Sequence, residues 1–333
     1  MRHSLFVASL LVVALLVFGC GSDKPNGPEP PKPQRIVVTQ GTSAPPLTST
    51  NDAIWDAITP TAVDLSTSLA PSPAMSEIMA ISDSIYVKAL TFDDSLFLRI
   101  SWADNSHNVW RGAFSVNDTD ANLGGNMATI FNAPDSIGRQ EDHLWLLFAG
   151  LASGDWDGLN WRALTTDSTF LAEGINLHRA ATTDPWSQVK DAGTVEVARH
   201  NFNTLNQTQP MYFHEDTSDY AGFTLFENDA LRPQDFFIRG WDIGQQVPFY
   251  ILDSTKHRLS AAERGSRWDT RTISDWSGST YTVVLCRPMN TGYADDVVLV
   301  DSVKTKIGVF DNQMDINTGG TGRGFSKEFW LIF

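Results

Sequence analysis

The chain has 333 residues, with 39 acidic against 24 basic side chains and a net charge of −15. An acidic surface of that size serves solubility and argues against partners that are nucleic acid or anionic lipid surface. There are two cysteines, Cys20 and Cys286, and no Cys-x-x-Cys-His motif. Covalent c-type haem attachment and a zinc site built on several cysteines are thereby excluded.

Taken in order, Arg2 precedes an uncharged apolar run from Leu5 to Phe18, about 14 residues, which is short for a bilayer core of roughly 30 Å but right for a signal-peptide core. The run ends Leu16-Val17-Phe18-Gly19-Cys20, which resembles the bacterial lipobox, a small residue before a cysteine that is lipidated and becomes the new N-terminus. The expected organisation is a signal peptide over 1–19 and a lipid anchor at Cys20. That anchor would hold the protein in the bacterial cell envelope, facing the periplasm or the cell surface. Removing Arg2 with the signal moves the net charge from −15 to −16. Residues 20–35 include Lys24-Pro25-Asn26-Gly27-Pro28-Glu29-Pro30-Pro31-Lys32-Pro33. Such a segment buries little apolar area and favours extended geometry, so it is expected to act as a stalk. No second linker of this kind follows, so 36–333 is expected to be one domain.

Within that domain short strand signals dominate. Ile36 to Thr39 is a β-branched run, and Ala62-Val63-Asp64-Leu65 another. Ile85 to Leu90 and Leu96 to Trp102 flank the turn-forming Asp93-Asp94 and predict a hairpin. In the second of these, Leu96, Leu98, Ile100 and Trp102 alternate with Phe97, Arg99 and Ser101, the period-2 pattern of a half-buried strand. Leu144 to Phe148 is continuously apolar and should be buried on both faces. Leu171 to Ala181 reads as a short helix, and Leu259 to Arg267 as one or two helical turns. Gly222 to Phe226, Phe249 to Leu252, Tyr281 to Cys286, Val297 to Val300, Lys306 to Phe310 and Phe329 to Phe333 complete the strands. Many short strands and few helices predict a mainly β fold, an antiparallel β-sandwich with long loops.

The order of these signals resembles a known family. Trp55 with Asp52 resembles an opening acidic-Trp segment, and Val87-Lys88-Ala89, the Leu96–Trp102 strand and Asp104 resemble a "strand, turn, strand, Trp-x-Asp" signature. Asp142 to Phe148 is similar to "Asp-x-Val-Ala-x-Met-Phe", and Asp157 to Ala163 to "Asp-x-Trp-His-Trp-Lys". Gly244 to Leu252, Gly265-Ser266-Arg267 with Asp269, Trp276 to Val297 and Val309-Phe310-Asp311-Asn312 extend the likeness in order. Together they resemble the haem-binding domain of the ethylbenzene dehydrogenase γ-subunit type, a relative of the DOMON-like sandwiches. The resemblance implies a noncovalent haem b that serves electron transfer beside a redox protein partner, held by a methionine and a lysine near the C-terminus. The methionine position falls on Leu147, which has no donor atom, and the histidine of Trp-His-Trp is Asn160. Arg323 or Lys327 lies nearest the lysine position, and arginine stays charged. The candidate cofactor-binding residues are therefore His143, Met289 and Lys327. The leading expectation is a noncatalytic haem b electron carrier or docking subunit. The alternative is a haem-free binding module for a glycan or a protein partner.

Other features carry weaker signals. His107, His178, His200 and His214 read as ordinary histidines, while Met211 and Met289 are usable thioethers, of which Met289 also suits core packing. Eleven tryptophans suit either a sandwich core or a sugar-stacking surface. Asp118 to Gly124 alternates oxygen ligands but lacks the glycine and glutamate positions of an EF-hand. Gly319 to Gly324 lacks the Gly-Lys-Ser/Thr of a phosphate loop. Asp93-Asp94 and Asp295-Asp296 read as turn formers. No nucleophile elbow or His-Glu-x-x-His motif is present, and nothing demands an enzyme.

Overall fold

The computed structural model describes residues 33–65, 84–104, 142–163, 166, 170–178, 187–193, 265–310 and 326–333, with the backbone of short strand segments lying between 114 and 252. The signal run, Cys20, His107, Met211, Arg323 and the segments 118–124, 222–226 and 319–324 lie outside them, as do the side chains of His200 and His214.

Thirteen strands form the main sheet. In chain order they are β1 (Arg35–Val37), β2 (Thr39–Gln40), β3 (Thr61–Asp64), β4 (Ser84–Phe92) and β5 (Ser95–Ala103). Then come β6 (His143–Ala149), β7 (Trp156–Arg162), β8 (Leu171–His178) and β9 (Ser187–Lys190). The last are β10 (Thr270–Ser277), β11 (Thr280–Pro288), β12 (Ser302–Phe310) and β13 (Phe329–Ile332). Neighbours run β1-β13-β12-β6-β7-β8-β10-β11-β5-β4-β2, with β9 beside β8 and β3 beside β4. All pairs are antiparallel except β1 with β13 and β2 with β4. The two ends of that order, β1 and β2, are separated in sequence by Val38 alone, so one short stretch of chain brings the sheet nearly to closure. The expected mainly β class holds, and its layout is one nearly closed sheet.

Period-2 alternation explains which side chains fill the interior. Leu96, Leu98, Ile100 and Trp102 of β5 join Tyr281, Val283 and Leu285 of β11, Leu144, Leu146 and Phe148 of β6, and Leu159 and Trp161 of β7 in one core. At its centre Trp102 stacks on Tyr281 with ring centroids 5.1 Å apart, and Trp161 meets both edge-on. Such ring geometry adds about 0.5–1.5 kcal/mol per pair beyond area burial. The β4–β5 hairpin turns on Asp93, whose φ of 48° is a left-handed value that aspartate tolerates. Packed outside the sheet over β5 and β11, Trp55 sits in a short 3-10 turn, Ala53–Trp55, capped by the Asp52 carboxylate.

Two local expectations are corrected. Leu171 to His178 is a strand, not a helix. Its residues alternate between two buried faces, and Ala172, Gly174 and Asn176 on one of them disguised the period. Val297 to Val300 forms no strand: the Val297 N–H donates to the Asp157 carboxylate, and the Leu299 N–H to the Met289 carbonyl. Of the helical turns expected over Leu259–Arg267, residues 259–264 lie outside the described ones, and the described end enters the 3-10 turn Ser266–Trp268.

Candidate functional site

The family likeness points to the outer face of β6 and its neighbours. Residues paired directly across strands share a face, so His143, Trp145 and Leu147 of β6 lie outward with Arg162, Asn160 and Gly158 of β7. Ile175 and Leu177 of β8 continue the patch, and Lys304 and Lys306 of β12 flank it. Leu147 is buried with Trp145, Ile175 and Leu177, and half-buried Trp156 packs on their edge. Gly158 lies directly beneath it: a Cβ there would stand 2.8 Å from Leu147 Cδ2 and 3.3 Å from the Ile175 carbonyl oxygen. Beside this apolar recess, Glu173 is buried and receives the Arg267 guanidinium through Nε at 2.8 Å and Nη2 at 2.5 Å. Lys190 reaches the same carboxylate at 3.3 Å and Arg162 at 3.8 Å. At the sheet's rim the amines of Lys304 and Lys306 stand 5.9 and 5.4 Å from the rings of Trp330 and Trp156.

The residues expected to hold haem are not all on this face of the sheet. His143 is buried on the same face as Leu147, but four residues along one strand is roughly 13 Å. Met289 follows β11 and packs against the interior core, on the other side of the sheet from Leu147. Lys327 is exposed, while its neighbour Ser326 is buried and hydrogen-bonded to Ile307. Haem iron needs donors converging from above and below one plane, whereas His143 lies on the outer face of the sheet and Met289 packs against the interior core. Asn160, in place of the implied histidine, is fully buried beside Trp145.

A second assembly of charged side chains was not legible in the sequence. It occupies one end of the sheet's interior, beyond Phe148. Asp157 of β7 pairs directly with Phe148 and Asn176, so its carboxylate points inward with them. Arg287, near the end of β11, covers the Phe148 ring at 5.2 Å and donates to Asp157 Oδ2 at 2.7 Å and to the Val297 carbonyl at 3.1 Å. Asp191 follows β9, and its Oδ1 accepts from Asn176 at 2.7 Å. Asp296 belongs to the loop after β11, with Oδ1 4.0 Å from Arg287. One carboxylate oxygen from each of Asp157, Asp191 and Asp296 lies within 4.8 Å of the other two, and all three residues are buried. Asp269, just before β10, adds a fourth acid whose charge bears on Asp191.

Burial is the main cause that lifts these acids out of the ordinary carboxylate range, with mutual repulsion adding to it. Asp191 is pushed to about 9, Asp269 to about 7 and Asp157 to about 6, the last two held down in part by Arg287. Asp296 is raised as well. Asp295, read as a turn former, in fact fastens two loops, since one of its oxygens accepts from the Ala192 N–H and the Ser266 hydroxyl. Its neighbour Asp296 is buried in the acidic group. The signal that could have marked them is the four widely separated acids bordering predicted strands, but spacing alone does not bring them together.

A nearly closed, mostly antiparallel sheet thus carries an apolar recess on its outer face and a charged group at one end of its interior. The sequence profile described as ethylbenzene dehydrogenase matches residues 52–319, and the chain belongs to that family. No curated protein matches it. One similar solved structure is a Bacteroides uniformis protein to which carbohydrate binding is provisionally ascribed. It is 6% identical, with 91% of this chain and 100% of that one covered at a TM-score of 0.37.

Proposed function

We propose that this member of the ethylbenzene dehydrogenase family is a noncatalytic, haem-free recognition domain carried on a cell-envelope lipoprotein. The observation that carries the reading is Leu147. At the position where the resemblance implies an axial methionine, a donor-free side chain is packed into a tryptophan and aliphatic cluster over Gly158. Recognition of a glycan or protein partner then falls to the outer face, where the partly buried indoles of Trp156 and Trp330 stand beside lysine amines. A second reading, a haem b electron carrier, is favoured by family membership and by the buried imidazole of His143. The full chain, supplied with equimolar haem and reduced with dithionite, separates the two. Haem-free recognition predicts only the spectrum of unbound haem. A stoichiometric b-type band would overturn it and install the second reading.

Membrane attachment rests on the Leu16–Cys20 segment. No helix among the described residues is long and apolar enough to cross a membrane. Labelled palmitate should be incorporated by the wild type and not by Cys20→Ala; equal incorporation would defeat the anchor.

A further inference from the structure

The acids at the interior end of the sheet face one another as buried oxygen donors. Asp157 is fully buried, Asp191 is 4% exposed and Asp296 8%. Each nevertheless has an oxygen with no hydrogen-bond partner: Oδ1 of Asp157, Oδ2 of Asp191 and Oδ2 of Asp296. Oδ2 of Asp269 is a fourth. An orphaned buried oxygen on one carboxylate is unfavourable, and three such carboxylates grouped together favour a shared positive partner. Arg287 does not meet that need. Its guanidinium is committed to the opposite oxygen of Asp157 and to the Val297 carbonyl. When all three carboxylates are ionised, one guanidinium leaves two of their negative charges for a cation to balance.

We propose that Asp157, Asp191 and Asp296 bind a calcium ion. Oxygens on opposite sides of a calcium ion at about 2.4 Å stand about 4.8 Å apart, and the three carboxylate oxygens fall within that limit of one another. All the donors are hard carboxylate oxygens, with no histidine or cysteine among them, which excludes a preference for zinc or copper. Three buried carboxylates supply part of the six to eight oxygens that calcium takes, more than the one or two carboxylates of a usual magnesium site. The surroundings are also shaped for the site. Gly174 lies against Asp191, and a Cβ built on it would overlap Asp191 Oδ2. Asn176 holds the other Asp191 oxygen, so the free one is turned away from the amide. Asp295 ties Ala192 to Ser266 and thereby sets the loop that carries Asp191 against the turn that carries Asp269.

A cation here would join chain segments more than a hundred residues apart. It would also reach the outer face through one short turn. Ser266 bonds Asp295, Arg267 grips Glu173 beside the recess, and Asp269 belongs to the acidic group. Calcium is therefore expected to fix the Arg267–Glu173 pair as well as the interior end.

The test is calcium binding by the full chain after chelator treatment, read by calorimetric titration and by the thermal midpoint. The expected result is one calcium per chain at or below the millimolar range of extracellular calcium modules, with a rise in the midpoint that magnesium does not reproduce. Asp191→Asn and Asp296→Asn should each weaken binding by more than about tenfold, since even outer-shell changes weaken metal sites 10- to 100-fold. The wild-type titration stands alone if a variant fails to fold. No stoichiometric binding, equal effects of magnesium and calcium, or unchanged affinity in both folded variants would overturn the assignment. Haem plays no part in this titration, so its outcome is independent of the recognition reading.

Discussion

Strand β7 carries Asp157 into the sheet's interior and, one residue later, Gly158 to its exterior, and the two neighbourhoods solve opposite problems. Outside, Leu147, Trp145 and Ile175 close over Gly158 and leave no donor where the family resemblance implies one. The charges on that side are compensated: Glu173 faces Arg267, Lys190 and Arg162. Inside, acids outnumber bases around Arg287, and four buried oxygens go unanswered. A face with its polar groups satisfied packs as core, whereas an end with surplus like charge asks for a ligand.

The sharpest break of that contrast is Arg287→Ala. It leaves Asp157 buried without the cation that pairs with it among the described residues, and removing one partner of a buried pair costs about 3–5 kcal/mol. Chemical denaturation in calcium-free buffer should show a loss of that size. A loss below 1 kcal/mol would mean that the acids are already neutral.

Next comes pH. Without a cation, Asp157, Asp269 and Asp191 hold protons up to about 6, 7 and 9, while an unfolded chain releases them near 4. The native state binds more protons across that window, so stability is greatest at its acidic end and falls as pH rises toward 9. Asp295, Asp296 and Arg287 face the same group, and only the last opposes the trend. Calcium should reverse it, because protons and cation compete for the same oxygens. Thermal midpoints at pH 5.5 and 8.5, with chelator and with calcium, check both signs. Parallel slopes would uncouple the acids from the ion.

On the outer face the expected effect is smaller. Gly158→Ala drives a methyl group into Leu147 and the Ile175 carbonyl, an overpacking change of about 1–3 kcal/mol. Calcium affinity should stay within about twofold of the wild type; a larger fall would show that the two faces of β7 are mechanically coupled.

Much of the scaffold was legible because packing obeys a simple period. The alternation in Leu96 to Trp102 and the apolar run Leu144 to Phe148 led directly to β5 and β6. Strand β8 was misread because Gly174 and Asn176 occupy its interior positions, where the acidic group needs space and an amide. Val297 to Val300 looked like a strand by composition, yet its first N–H serves Asp157. The acids themselves were invisible as a group. Asp157, Asp191, Asp269 and Asp296 come from four turns or strand ends, and only the strand order brings them to one place. Asp295-Asp296 had the look of a turn because burial, which distinguishes it, is not a property of the pair alone.

The most direct test of the interior claim is an anomalous difference map from crystals of the full chain grown with calcium. The account predicts one peak bounded by Asp157, Asp191 and Asp296, with carboxylate oxygens at 2.3–2.6 Å. A map with no peak there, and with the carboxylates hydrogen-bonded directly to one another, would contradict it and leave protons as the counter-charge.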